Sequence, residues 1–230
     1  YGPYGWLEDY NPGWTPNTTD ASHRRYRYGQ QPQIGAWNLA RWVESLIPLM
    51  QEPRRLEGGL DHYGEGFNQH HNAMWAAKLG LGLWRDEDQD LVVQLNSALQ
   101  IIETDMTIFF RTLASIEAPN VSLLSDAFYQ PIGEAEAPLQ AWLVAWWGRV
   151  DGTPDRATMM ASNPKYVLRN WMAQLAIDEA EKGDFTLCED LHSLLMNPYD
   201  EQPEQEERWF QRRPEWARNR VGCSMLSCSS

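Results

Sequence analysis

The sequence predicts a mostly α-helical protein. Three observations carry that expectation. Apolar residues recur at spacings of three and four through most of the chain after Gly35, no run alternates as a half-buried strand would, and Pro, Gly and Asn punctuate the chain at helix-length intervals.

Residues 1–33 read as loop, because Tyr1-Gly-Pro-Tyr-Gly-Trp6 and Tyr10-Asn-Pro-Gly-Trp-Thr-Pro-Asn17 are dense in turn formers. From Gly35, Trp37, Ala40, Val43, Ile47 and Met50 mark one face of a helix, with Pro53 just beyond its end. Leu56–Leu83 reads as one or two helices through Tyr63, Phe67, Met74 and Leu81, weakened in its first half by Gly58, Gly59, Gly64 and Gly66. Asp86 is the expected N-cap, with Asp90 in the first turns, of a helix through Leu91, Leu95, Leu99 and Ile102. Thr107–Ser115 continues as helix, Ala118–Gly133 is loop, and Glu134–Val150 is a helix rich in Trp. Thr153-Pro154 reads as an N-cap followed by proline at the first helical position. Asn163-Pro164 then breaks the chain before a helix over Lys165–Glu181, which Gly183 ends. A last helix runs from near Asp184 to Met196, stopped by Asn197-Pro198.

The chain is 230 residues, with 19 Lys and Arg against 32 Asp and Glu. That balance argues against a nucleic-acid binder, whose affinity comes from cations on phosphate, and against an anionic membrane surface. The acidity is local. Residues 178–207 hold eleven acids and one base, Lys182, so they carry −10 of the net −13. No run approaches the ~20 apolar residues of a membrane span, and no secretory leader is visible at Tyr1. Among the 12 Trp, most fall at helical spacing with other apolar residues and read as core, with a sugar-stacking cleft as the sharper alternative.

Chemistry-bearing motifs are sparse. His23, His62, His70, His71 and His192 form no metal-ligand spacing, and no Gly-x-Ser-x-Gly, Walker-type or Gly-x-Gly-x-x-Gly pattern occurs; Gly80-Leu-Gly82 lacks the third glycine. Arg24, Arg25 and Arg27, in His23-Arg-Arg-Tyr-Arg-Tyr28, interleave cations with aromatics. In so acidic a chain a solvated loop, or arginines paired with the acidic segment, is the preferred reading. Cys188 reads as a small core residue, whereas Cys223 and Cys228 lie in the last eight residues, where packing seldom holds a thiol.

Several longer blocks go further. Tyr1-Gly-Pro-Tyr-Gly-Trp-Leu-Glu-Asp-Tyr10, Arg27-Tyr-Gly-Gln-Gln-Pro-Gln-Ile-Gly-Ala-Trp-Asn-Leu39, Asn163-Pro-Lys-Tyr-Val-Leu-Arg-Asn-Trp171, Ala180-Glu-Lys-Gly-Asp184, Asn197-Pro-Tyr-Asp-Glu201 and the closing Cys228-Ser-Ser resemble the selenoprotein O family, in that family's order. The resemblance implies a protein-kinase-like fold, of which this chain is the helical C-terminal lobe and extension. It implies an activity too, the transfer of AMP from ATP to hydroxyl side chains of proteins by a pseudokinase using Mg2+ or Mn2+. Tyr1-Gly2-Pro3 is similar to the end of an Asp-Tyr-Gly-Pro metal loop whose Asp would stand just before Tyr1. Catalytic and nucleotide-lobe residues would lie further upstream, so none is expected within 1–230 and this segment alone is expected to be inactive, without ATP or metal. The implied organisation is a metal-loop remnant and activation-segment-like loop over 1–33, a helical lobe and extension over 34–200, and an acidic-to-basic helix with a cysteine tail over 201–230. Arg24, Arg25 and Arg27 would then face nucleotide phosphates or protein substrate. The third residue from the end, selenocysteine in some members, is Cys228 here. The resemblance implies a redox-active tail, whose partner Cys in some members lies in the segment corresponding to Gly13–Thr19; this chain departs from that pattern, having no Cys there, and a Cys223–Cys228 disulfide under oxidation is the alternative hypothesis. Implied partners are ATP and protein substrates, with neither nucleic acid nor membrane; bacterial members would be cytoplasmic and eukaryotic ones mitochondrial.

Two readings of other classes stand beside it. One is a self-standing helical interaction module with a Trp-rich groove. The other is a carbohydrate-active enzyme using Trp platforms and paired carboxylates such as Glu134/Glu136 or Asp86/Asp90.

Overall fold

A computed structural model describes residues 7–15, 23–50, 54–220 and 223. Tyr1, Gly2 and Pro3, expected from the resemblance to end a metal loop, and the Cys228 thiol lie outside the described residues. Within them the chain is mostly helical, as its periodicity requires, with nine α-helices: α1 (Gln31–Leu46), α2 (Arg54–Lys78), α3 (Asp88–Ala98), α4 (Met106–Leu113), α5 (Glu136–Arg149), α6 (Arg156–Ser162), α7 (Asn170–Ala180), α8 (Thr186–Met196) and α9 (Pro203–Trp209). Extended pairing among them is limited to two isolated antiparallel bridges, Asp9 with Asp105 and Thr104 with Phe128.

Helix α1 begins four residues before the expected Gly35, because Pro32 fits a first turn whose N–H groups have no partner anyway. Of its 16 residues only Ile34 is buried. Helix α2 is one unbroken helix, despite Gly58, Gly59, Gly64 and Gly66. Its second half is held by an aromatic ladder at i, i+4 spacing, in which ring centroids of Tyr63–Phe67, Phe67–His71 and His71–Trp75 lie 6.3, 5.4 and 6.3 Å apart.

Three expected helix starts are corrected, each because another side chain holds the start or the preceding backbone is bonded elsewhere. Asp86 is exposed and caps nothing; Asp88, at the first position of α3, accepts from the Arg85 N–H at 2.8 Å and from Arg149 Nε at 2.7 Å. Before α6 the cap is Asp155, which accepts from the Thr158 N–H at 3.1 Å, so Pro154 stands ahead of the helix rather than at its first position. The helix read from Lys165 starts only at Asn170, because the N–H groups of Lys165 and Tyr166 both donate to the Pro198 carbonyl. Lys165 and Tyr166 also bond Glu201, Gln202 and Glu206 through their side chains, and Arg169 is taken by Asp105. The loop expected over Ala118–Gly133 contains a 3-10 turn, Val121–Ala127.

Two hydrophobic clusters form. The first runs from Trp75 to Met159 and is centred on α3, α4 and α5; the second runs from Tyr166 to Cys223 and joins α7, α8 and α9. Phe210 packs on both. Trp142 and Trp146 sit fully inside the first, and their indole N–H groups donate to the carbonyls of Leu91 (2.9 Å) and Leu79 (2.8 Å). Satisfying that donor avoids the cost of a buried orphan N–H, a cost that Trp171 Nε1, buried without a partner among the described residues, still carries. Trp75, Trp171 and Trp209 are buried as well, so the core reading holds for these five, while Trp37, Trp42 and Trp216 stay exposed.

Candidate functional site

The segment that follows Tyr1–Pro3 is fastened across the turn before α4. The Tyr10 N–H donates to the Thr104 carbonyl at 2.8 Å, and the Met106 N–H to that of Glu8 at 3.3 Å. Beneath it lies a buried cluster of charges. Asp105 caps α4 by accepting from the Ile108 N–H at 3.0 Å and takes both terminal nitrogens of Arg169, itself buried. Arg213, from the C-terminal arm, reaches Glu103 at 2.6 Å, Glu8 at 3.3 Å and Asp9 at 3.7 Å; Arg218 meets the other Glu103 oxygen at 3.0 Å. The Arg213 N–H donates to the Tyr129 hydroxyl, and three guanidinium groups face four carboxyls.

Burial pushes the Glu8 carboxyl up to about 7, against the pull of Arg169 and Arg213, and the neighbouring Asp105 and Asp9 push the same way. Burial also raises Asp9 and Tyr129. Through Arg213 the cluster ties Glu8 and Asp9 to the C-terminal arm.

The arginine run divides. Arg25 and Arg27, with His23, Gln30, Gln33, Ile34 and Trp37, line an open basin of about 500 Å3. The Arg25 guanidinium lies 4.9 Å from the Trp37 ring centroid. Arg27 is held by Gln30, 2.8 Å from its side-chain oxygen, and so presents a fixed cation. Arg24 is not part of the basin; with φ at +44° it turns away and donates to the Gly13 carbonyl at 3.3 Å. The acidic segment takes cations from other places. Glu201 pairs with Arg111 and Lys165, Glu206 with Lys165 at 2.8 Å, and Asp178 with Arg220 at 2.6 Å. Neither Arg24 nor Arg27 is paired with it in the way the sequence suggested: both are held by neighbouring backbone or by Gln30.

A second cleft, about 600 Å3, opens between residues 10–12 and 28–32, α2 and the start of α4, and is walled by Tyr10, Tyr28, Trp75 and Phe110. Lys78 reaches it, its Nζ donating to Asn163 Oδ1 at 2.7 Å and lying 4.4 Å from the Phe110 ring centroid. Burial pushes this amine down to about 8.

Of the candidate thiols, Cys223 is buried in the second cluster and burial raises it above its ordinary value, which disfavours the reactive thiolate. Cys188 is half-buried, with its sulfur 3.9 Å from the Ala176 carbonyl. The carboxylate pairs Glu134/Glu136 and Asp86/Asp90 are all exposed on helix starts.

Sequence reasoning missed Glu8, Asp105, Arg169, Arg213 and Lys78. Asp105 stands directly before a helical run, the usual place of a cap, and Lys78 is a lone cation among Trp75, Leu79 and Leu81. Those were the available signals. Glu8 and Arg213 have none, because their meeting spans 205 residues.

The described residues thus form a helical body with its N-terminal segment held by ion pairs and with an open basin lined by Arg25 and Arg27. The chain matches the family model described as protein adenylyltransferase SelO over residues 1–196 and belongs to that family. Over its whole length it is 49% identical to the protein nucleotidyltransferase YdiU of Aromatoleum aromaticum and to that of Rhodopirellula baltica, covering 46% and 47% of those proteins. It is 45% identical to that of Flavobacterium johnsoniae, covering 46% of it. The chain thus spans about half the length of the curated relatives it matches. No helix among the described residues is long and apolar enough to cross a membrane.

Proposed function

We propose that this chain is the helical C-terminal portion of a kinase-like, pseudokinase-type adenylyltransferase that moves AMP from ATP onto hydroxyl side chains of proteins. The observation that carries the reading is the family match over 196 of the 230 residues. In that reaction a protein hydroxyl oxygen attacks the α-phosphorus and loses its proton, the bond from the α-phosphorus to the bridging oxygen breaks, and pyrophosphate leaves with its electron pair.

ATP chemistry of this kind uses Mg2+ or Mn2+ to neutralise the triphosphate. Among the described residues no group of three or more His, Cys, Asp or Glu side chains is placed to share a cation. On the resemblance of Tyr1-Gly2-Pro3 to the end of an Asp-Tyr-Gly-Pro loop, we assign the metal to ligands outside 1–230, chief among them an Asp at the position before Tyr1. The work of this chain is mechanical and electrostatic. The cluster around Asp105 and Arg213 holds the segment leading from that loop, and Arg25 and Arg27 offer cations in the basin to phosphates or to an acidic stretch of the protein substrate. Arg24, held on Gly13, shapes the turn that presents them.

On this reading residues 1–230 alone neither bind ATP usefully nor catalyse, and a bacterial protein of this kind works in the cytoplasm. Titration calorimetry tests the first point. No heat of micromolar Mg–ATP binding is expected from residues 1–230, and a micromolar isotherm would overturn the assignment of the nucleotide-holding groups to other parts of the protein.

A further inference from the structure

The cleft at Lys78 carries an electrostatic imbalance that no described residue resolves. The half-buried Lys78 ammonium has a neutral amide oxygen, Asn163 Oδ1 at 2.7 Å, and the face of Phe110 as its neighbours; among the described residues no carboxylate pairs with it. The other two Lys of the chain, Lys165 and Lys182, each meet Glu at 2.8 Å. The same cleft contains Asn96, whose side-chain oxygen is buried without a hydrogen-bond partner. A partly desolvated cation without an anion and a buried acceptor without a donor both carry a cost, and proteins seldom leave buried polar atoms unanswered.

The walls are apolar. Met74 lines the cleft and is 44% exposed, and α1 beside it buries only Ile34 while Trp42 and the following Leu49 stand 60% and 79% exposed. Exposed apolar surface of this kind marks a contact face, and the chain spans about half the length of its relatives.

We infer that in the whole protein this cleft seats another segment of the same polypeptide, outside residues 1–230, apolar in character and carrying an Asp or Glu that pairs with the Lys78 ammonium. Charge complementarity selects the carboxylate, and the missing half of the relatives' length supplies the chain. A donor on the same segment, a backbone N–H or a side-chain amide, meets Asn96 Oδ1. The inference rests on the reading of a longer protein given above, but neither of its tests involves a nucleotide, so it stands or falls apart from the proposed activity.

The test uses the whole protein, with Met74→p-benzoylphenylalanine as a photocrosslinker at an exposed cleft position. Irradiation and peptide mass spectrometry are expected to join position 74 to a peptide of the same chain outside 1–230, with an Asp or Glu nearby in that peptide. Crosslinks confined to 1–230, to a second copy or to another molecule, or no crosslink, would overturn the inference. Amine acetylation of the unsubstituted whole protein at pH 8 tests the ion pair. Lys78 is expected to react slower than exposed Lys182 by about tenfold or more, because a paired, covered ammonium has little free amine. A smaller difference, or faster reaction at Lys78, contradicts it, because an open cleft with a depressed amine gives a reactive lysine.

Discussion

The Arg213 guanidinium closes on the Glu103 carboxylate at 2.6 Å, and the same guanidinium reaches Glu8 at 3.3 Å, so one side chain of the C-terminal arm holds both the turn before α4 and the N-terminal segment. Both carboxylates lie in buried surroundings, Glu8 almost wholly so. Removing one partner of a buried pair leaves the other desolvated and unpaired, which costs about 3–5 kcal/mol. Arg213→Ala is therefore expected to lower stability by about 3 kcal/mol in urea unfolding. Arg213→Lys should recover little of it, because one ammonium cannot reach along two directions as the planar fork does. A loss under about 1 kcal/mol for both variants would show that Arg218 alone supports Glu103 and that the arm is not fastened through Arg213.

Glu8 gives the cluster a pH dependence of defined sign. Its carboxyl rises from 4.5 to about 7 on folding, so between those values the native state binds the extra proton. Its contribution to stability is complete below about pH 4.5 and is lost as pH rises through about 7, by at most roughly 3 kcal/mol. Glu8→Gln removes the ionisation. Measured against the unsubstituted protein, the Gln variant should gain relative stability between pH 5 and pH 8 and show no further gain above pH 8. A pH-independent difference between the two would mean that Glu8 is ionised throughout.

Gly80 and Gly82 both adopt left-handed backbone, with φ of +63° and +69°, but their surroundings differ. A Cβ at Gly80 would come within 2.8 Å of the Met159 sulfur and 2.9 Å of the Asp155 nitrogen, whereas a Cβ at Gly82 meets nothing within 4 Å. Gly82→Ala should cost about 1–2 kcal/mol, the backbone term alone. Gly80→Ala should cost clearly more, because the start of α6 must move as well; thermal unfolding of the two variants separates the contributions. Equal losses would mean that Met159 swings aside freely.

Much of the helical body is legible in the sequence, and the reasons are local. Trp142 and Trp146 lie four apart in a run with no breaker and form a buried, stacked pair 6.0 Å apart. Gly183, with φ of +89°, sits just past the last turn of α7, where the sequence places it. What failed depended on partners far away. Asp88 rather than Asp86 starts α3 because Arg149, 61 residues later, is there to receive it. Lys165 and Arg169 do not begin a helix because one is taken by Glu201 and Glu206 and the other by Asp105. Arg24, Arg25 and Arg27 look equivalent in the sequence, and only the backbone turn at Arg24 separates it from the basin. Local pattern specifies elements; ion pairs across 60 to 200 residues specify the site.

The tail thiols respond to the same arm. Cys223 is buried, and Arg220 beside it is tied to Asp178 at 2.6 Å, so its thiol is reached only when this part of the arm opens. Under a mild oxidant a Cys223–Cys228 disulfide is expected to form slowly and to form several-fold faster in Arg220→Ala, followed by non-reducing mass spectrometry. Both thiols remaining free after prolonged oxidation of either protein would remove the pairing from the account.

Proposed transfer of AMP and transfer of phosphate leave different labels on protein. The whole protein is incubated with Mg2+ or Mn2+ and ATP carrying the label on either the α- or the γ-phosphate, and protein-bound label is counted. Label from the α-phosphate is expected to become covalently attached to protein, label from the γ-phosphate is not, and charge reversal of the basin by Arg25→Glu and Arg27→Glu together is expected to lower the yield. Retention of γ-label with no α-label would show phosphate transfer instead and would contradict the proposal.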